Sequence, residues 1–260
     1  MRVTVLGCGG SSGVPTIGNR WGECDPANPK NRRRRPSILV EHDGTVVLVD
    51  TAPDLREQLL AAGVSRLDAA IYTHEHADHT HGLDDLREIN RLMGKPIPVF
   101  GPAETIESLR KRFGYAFQPL EDRTLPFYRP VLVPEAICNL EPFTIGSITI
   151  TPFLQDHGYS TTFGYRFGRF AYSTDVLRLD EAAFAALEGV SAWVVDCVRV
   201  DLHPVHSHLA NTLDWIKRVG PHRAWLTHMT NNLDYETLCG VLPPGVEPAY
   251  DGLVIDVDAC

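Results

Sequence analysis

An α/β fold, a sandwich of two β-rich halves with flanking helices, is what this sequence predicts, on three observations. Short apolar runs of strand character alternate with helical segments along the whole chain. Two of those runs, "IYTH" at 71–74 and "WLTH" at 225–228, end in the same Thr-His pair, one in each half. Polar residues with useful chemistry gather where strands run out, and layered α/β folds place their sites there.

Each element has its own reason. "VTVLG" reads as a strand running into the glycine-rich "GCGGSSGVP". "SILVEHDGTVVLVD" is two β-rich runs about "HDGT", a hairpin signal. In "DLREQLLAAG", Asp54 is placed as an N-cap, apolar residues follow at helical spacing, and Gly63 is a stop. "LDAAIYT" is a short buried strand that delivers the chain into a histidine cluster. A helix in "LDDLREINRLMG", the strand "IPVFG" and the helix "AETIESLRKRFG" come next. Residues 114–143 are rich in Pro and aromatics with weak periodicity, so they read as an irregular excursion, a flap or a homodimer interface. The second half predicts strands in "SITITPF", "TTFGYRF" and "RFAYSTD", then a helix across 180–188. The strand "AWVVDC", the helix "LANTLDWIKRVG" and the strand "RAWLTH" complete the pattern. No Pro/Gly/Ser linker marks a boundary, so 1–260 reads as a single domain.

Composition narrows the function. A formal net charge of −9 argues against a nonspecific nucleic-acid binder, which needs a basic footprint. It leaves a phosphate-bearing substrate open, because bound divalent cations reverse the local charge. The dense basic run Arg32–Arg35 is either a solvated loop or a phosphate contact. "MRVTVLGCGG" has no apolar h-region, and no apolar run reaches the length of a membrane span, so a cytoplasmic location without a membrane partner is expected. The six cysteines are scattered without a C-x-x-C pair, which suits reduced thiols.

The decisive stretch is "YTHEHADHTHGLDD", residues 72–85, with four histidines and an aspartate between His74 and His81. Neutral imidazole and carboxylate suit zinc, manganese or iron, and a tight turn can aim such closely spaced groups at a common point. His74 and His76 can share one ion, and Asp78 and His79 can face a second. Two ions need more ligands than one loop supplies. His157 in "QDHGYS", Asp175 in "AYSTD" and His228 in "AWLTH" each sit where a strand runs out.

H-x-H-x-D-H, a later lone His, an S-T-D aspartate and a final L-T-H histidine together resemble the metallo-β-lactamase superfamily. The resemblance extends to the opening "VTVLGCGGSSGVP" and the late "YDGLVIDV". It implies a metallo-β-lactamase-like αββα sandwich of two mixed sheets with flanking helices, a hydrolase, and two divalent ions per chain, Zn2+ or Mn2+. Carried across, His74, His76 and His157 would bind the first ion, and Asp78, His79 and His228 the second, with Asp175 bridging. A hydroxide held between two such ions is a nucleophile at neutral pH, and a phosphodiester would be attacked in line at phosphorus. The leaving alkoxide then needs a proton. In "HPVHSHLANTLDW" the resemblance assigns that task to His206, with His203 as the alternative, both touching substrate. Asp78 counts as a catalytic residue as well as a ligand.

"GCGGSSGVP", "CDPANPKNRRRRPS", "VDTAPDLREQLL" and "HPVHSHL" look most like the PhnP-related phosphodiesterases, which include phosphoribosyl 1,2-cyclic phosphate phosphodiesterase. That enzyme carries a cysteine-rich loop holding a structural zinc. Here "WGECDPANPKN" has only Cys24, so the structural zinc is expected to be missing. The expected substrate is a small cyclic or nucleotide-like phosphodiester. A glyoxalase II-like thioester hydrolase would use the same ligands, but nothing here resembles that family's C-terminal helical domain. Transfer-RNA processing nucleases share the "HS" and "LTH" spacing, yet no long Gly/Lys-rich arm is present and no stable nucleic-acid partner is expected. The non-enzymatic alternative is a carrier-like protein resembling that of pyrroloquinoline quinone biosynthesis.

Overall fold

Alternation along the strands decides the layering. The computed structural model describes residues 1–120 and 127–258. It opens with β1 (Arg2–Gly7), the hairpin β2 (Ser37–His42) and β3 (Thr45–Val49), helix α1 (Leu55–Ala62) and β4 (Ala69–Ile71). The one-turn helix α2 (Ala77–Thr80), α3 (Leu86–Met93), β5 (Ile97–Pro102), α4 (Ala103–Arg112) and β6 (Leu132–Ile137) follow. The second half holds β7 (Phe143–Ile145), β8 (Ile148–Asp156), β9 (Thr161–Phe167), β10 (Phe170–Ser173), α5 (Glu181–Ala186) and β11 (Ala192–Asp196). It ends with α6 (Leu209–Val219), β12 (Arg223–Thr227), α7 (Tyr235–Val241), β13 (Val246–Pro248) and β14 (Val254–Asp256).

The elements form two seven-stranded sheets, ordered β14-β1-β2-β3-β4-β5-β6 and β13-β12-β11-β10-β9-β8-β7. Both are mixed: β3 to β6 run parallel beside antiparallel β1 to β3, and β10 to β13 run parallel beside antiparallel β7 to β10. In the first sheet Ile38, Val40, Val47, Val49, Ala69 and Ile71 face the second sheet. The intervening Leu39, Leu48 and Ala70 face outward and are buried under Leu55 and Leu59 of α1 and Leu86 and Ile89 of α3. A strand buried on both faces is apolar throughout, and the runs "ILV", "VVLV" and "AAI" show it. This is the expected αββα sandwich.

Several local expectations need correction. Asp54 stands at the N-cap of α1 but makes no capping bond; its carboxylate pairs with Arg35 instead, Nε to Oδ2 at 2.7 Å. Gly63 does end the helix, in the left-handed region at φ 66°. The excursion at 114–143 is not irregular throughout: it contains β6, and residues 121–126 lie outside the described residues. Pro134 hid that strand from the sequence, because proline is tolerated in a sheet on an edge, and β6 is the edge. Of the six cysteines, Cys260 also lies outside the described residues, and the other five are free.

The run Arg32–Arg35 is not a uniformly solvated loop. Arg33 is buried, donating from Nη1 to the Thr230 carbonyl at 3.2 Å and from Nη2 to Asn31 Oδ1 at 3.2 Å. It ties its loop to the segment just past His228. Arg32 instead lies over the Trp21 ring at 5.3 Å. Asp251 anchors the same loops by accepting from the backbone N–H groups of Cys8 at 3.2 Å and Arg34 at 2.8 Å. Burial pushes its carboxyl up to about 7, against those N–H bonds that favour the anion.

A folded-state value above the unfolded one means stability that is full below about pH 4 and lost as pH rises through about 7. Relative to Asp251→Asn, the wild type should therefore lose on the order of 4 kcal/mol between pH 4 and pH 8. Urea midpoints of the two proteins across that range, at fixed metal concentration, check this; parallel curves refute it.

Candidate metal centre

Strand ends in both sheets deliver the site. His74 follows β4, His157 directly follows β8, Asp175 follows β10, Asp196 ends β11, and His228 directly follows β12. His76 caps α2, which carries Asp78 and His79, so a single helical turn does the aiming expected of a tight turn. Close approach holds that turn in place: Thr51 N donates to His79 O at 2.7 Å and Gly82 N to Thr51 O at 2.8 Å. A Cβ at Gly82 would stand 2.0 Å from the Ala52 carbonyl oxygen, so only glycine fits. Asp50, Asp175 and His228 all have positive φ, at 62°, 52° and 58°. Asp and His tolerate that region better than most residues, and such conformations concentrate at functional sites.

All seven residues expected as ligands come together, in two groups. His74, His76, His157 and Asp175 form one; Asp78, His79, Asp175 and His228 form the other. Asp175 belongs to both, and its two oxygens divide the work. Oδ1 lies 3.0 Å from His79 Nε2 and 3.3 Å from His228 Nε2. Oδ2 lies 3.8 Å from His74 Nε2 and 3.8 Å from His157 Nε2. Asp78 Oδ2 completes the second group, 3.5 Å from His79 Nε2 and 3.4 Å from His228 Nε2.

The far side of each ring decides which nitrogen faces inward. His79 donates from Nδ1 to Asp50 Oδ2 at 2.7 Å, and His157 donates from Nδ1 to the Val205 carbonyl at 2.7 Å. The Thr73 hydroxyl donates to Asp50 at 2.8 Å, so it accepts from His74 Nδ1 at 3.0 Å. With their Nδ1 protons committed, these rings turn Nε2 lone pairs toward one another. His74 Nε2 and His79 Nε2 are buried without a hydrogen-bond partner. Orphaned imidazole nitrogens and carboxylate oxygens around one centre fit a divalent cation of the zinc or manganese type.

Electrostatics agree. Burial and the neighbouring His79 hold His74 well below the usual histidine range. Burial alone would lower His79 too, but Asp175, Asp78 and Asp50 overcome it and push the ring well up. His228 is raised to about 9, burial opposing and Asp175 prevailing. Burial raises Asp78 and Asp175, yet the surrounding imidazoles hold both carboxyls well below their ordinary value. Without a cation, protons on His79 and His228 would balance the carboxylates; a bound cation would take their place and free the Nε2 lone pairs.

Two residues of the candidate site escaped the sequence reading. Asp50 orients His79 and Thr73, with Oδ1 accepting from Thr73 N at 2.8 Å. Asp196 accepts at Oδ2 from His206 Nδ1 at 3.2 Å, from Val176 N at 3.1 Å and from Ser207 N at 3.3 Å. Asp196, His206 and His228 form a third, smaller cluster. The signal was present: "VVLVD" and "AWVVD" end strands in aspartate, as "AYSTD" nearly does. His206 is buried with Nε2 3.8 Å from Asp175 Oδ2. His203 stands farther out, its ring 5.0 Å from that of His206, and belongs to none of the clusters.

Cys24 is also in none of the clusters found among the described residues; its thiol faces the Leu233 carbonyl at 3.4 Å and Arg33 Nη1 at 3.9 Å. Among the described residues no helix is long and apolar enough to cross a membrane.

Comparison with known proteins places this architecture. The family described as Beta-lactamase superfamily domain matches residues 45–229. A solved diphosphatase from the PhnP family is 34% identical, with a TM-score of 0.89 over 100% of this chain and 98% of that one. An octanoyltransferase of Porphyromonas gingivalis (strain ATCC BAA-308 / W83) is 31% identical over 99% of this chain and 52% of its own length. A ribonuclease Z of Methanosarcina acetivorans is 32% identical over 44% of this chain and 34% of its own. The chain thus spans about half or less of these curated relatives. Zn(2+)-bound PqqB from Methylobacterium extorquens shares the fold at 20% identity and a TM-score of 0.78. With one family matching most of its length and a full-length relative at 34% identity, the chain belongs to the metallo-β-lactamase superfamily and, within it, to the PhnP family.

Proposed function

We propose that residues 1–260 form one metal-dependent hydrolase domain acting on a small cyclic or nucleotide-like phosphodiester. The observation that carries this is Asp175, one oxygen turned to each of two ligand groups. His74, His76 and His157 would hold one divalent ion, Asp78, His79 and His228 the other, and Asp175 both. Divalent ions in such a pair supply Lewis acidity, making water a competent nucleophile near neutral pH and offsetting charge at a phosphoryl group.

The chain's own residues do the rest. Asp196 fixes the His206 ring through Nδ1, which leaves Nε2 facing the Asp175 cluster. From there His206 Nε2–H would give its proton to the departing oxygen, the step an alkoxide leaving group needs. Asp50 and the Val205 carbonyl keep two ligand rings in one tautomer. The net charge of −9 speaks for a small substrate and against a long nucleic acid.

A phosphoanhydride diester is the second reading, favoured by the diphosphatase relative that matches the whole chain. Phosphorus-31 NMR of metal-loaded protein separates these, with cyclic diesters, linear diesters, a dinucleoside diphosphate and a phosphomonoester as substrates. Diesters or the diphosphate should turn over well ahead of the monoester. Faster turnover of a thioester in a parallel assay would replace phosphodiester chemistry with the glyoxalase II-like reaction.

A further inference from the structure

A cavity of about 730 Å3 lies beside the metal centre and has no part in the chemistry above. It starts at His203, which lines it and whose ring is 5.0 Å from that of His206. His206 in turn packs 4.7 Å from His228 and 4.7 Å from His157, ring to ring. One imidazole therefore separates the cavity from the residue that faces Asp175.

Its walls come from segments that already carry the site: 177–179, just past Asp175, and 202–204, just ahead of His206, with α6 behind them. Ser207 N donates to Val176 O at 2.6 Å and Asn211 Nδ2 to Leu177 O at 3.4 Å, so the walls are braced against each other. Leu177, Leu179, Leu202 and Trp215 make the lining largely apolar, and Leu202 is 75% exposed, an apolar side chain awaiting cover. Arg178, paired to Asp156 at 3.3 Å, sets a donor at the edge.

Chemistry says what belongs there. The oxygen that leaves phosphorus must sit against the acid that protonates it, so the body of the leaving alcohol extends toward His206 and His203. The cavity is on that side, a groove open to solvent whose volume falls within the range of small-molecule sites. A sugar phosphate whose leaving oxygen stays in the ring with phosphorus would leave the apolar walls in water.

We propose that this cavity is the leaving-group subsite and that it takes a nucleoside-like alcohol, a flat apolar body with hydrogen-bonding edges. The assignment rests on the phosphodiester reading above and narrows it toward linear diesters. Leu202→Asp tests it, since an exposed loop residue can change without disturbing the fold. Calorimetry on metal-free protein should show adenosine binding and ribose not, with adenosine weakened about tenfold by Leu202→Asp. In the metal-loaded enzyme the same change should raise KM for a dinucleoside phosphate about tenfold. Its kcat, and the KM for a ribose cyclic phosphate that carries no base, should be unchanged.

Adenosine binding indifferent to Leu202→Asp, or equal KM changes on both substrates, overturns the subsite. Adenosine binding that depends on Leu202 without turnover of any diester keeps a nucleoside site there and overturns the phosphodiester reading instead.

Discussion

Alanine at His206 is expected to lower kcat by about 10²–10⁴-fold on an alkyl phosphodiester while metal content stays unchanged. The ring has its Nδ1 committed to Asp196 at 3.2 Å and its Nε2 facing the cluster at 3.8 Å from Asp175 Oδ2. Both contacts suit a proton donor held in one orientation. The defect should shrink for a nitrophenyl diester, because nitrophenolate departs without a proton. Asp196→Asn should move kcat in the same direction by less, since it loosens the ring but leaves it in place. Metal analysis alongside kinetics on the two substrates checks this. His206 also stands in a cluster with Asp196 and His228, so loss of metal from His206→Ala would make it a ligand and not an acid. Equal defects on both substrates would remove it from the proton-transfer step.

The second large effect is expected at Asp175. Asp175→Asn keeps the shape of the side chain but removes the charge that both groups share. Metal affinity at each group should fall by more than the 10–100-fold that typically follows loss of a supporting hydrogen bond. Activity should fall to background. Asp78→Ala is the contrast, because Asp78 touches only His79 and His228 among the ligands. That variant should lose metal from the second group while the His74, His76 and His157 group keeps its ion. Elemental analysis and anomalous scattering of the two variants distinguish these outcomes. Retention of both ions in Asp175→Asn would mean that the carboxylate does not bridge, and loss of both ions in Asp78→Ala would mean that the two groups do not fill independently.

The sequence by itself determined the fold class and singled out the residues that gather into the candidate metal cluster. Buried strands must be apolar on both faces, so "VVLV" and "AAI" announced themselves, and unsupported histidines are rare enough for "THEHADH" to stand out. Strand ends in Thr-His marked His74 and His228 as well, 154 residues apart but facing one centre. Local signals also settled Gly63 as a helix stop, since a left-handed C-cap depends on the residue alone.

Only the tertiary structure decided what depends on distance. Asp54 looked like a cap and became the partner of Arg35, because an arginine 19 positions away offers both its guanidinium and its backbone N–H in place of the N–H groups of the helix. Arg33 looked like surface charge and is buried against Thr230, 197 positions away. Asp50 and Asp196 are ordinary strand-end aspartates until folding sets them behind His79 and His206. A ligand's chemistry is written in its side chain, whereas the residue that orients it is defined by a hydrogen bond, and hydrogen bonds between distant segments exist only once the two sheets have packed.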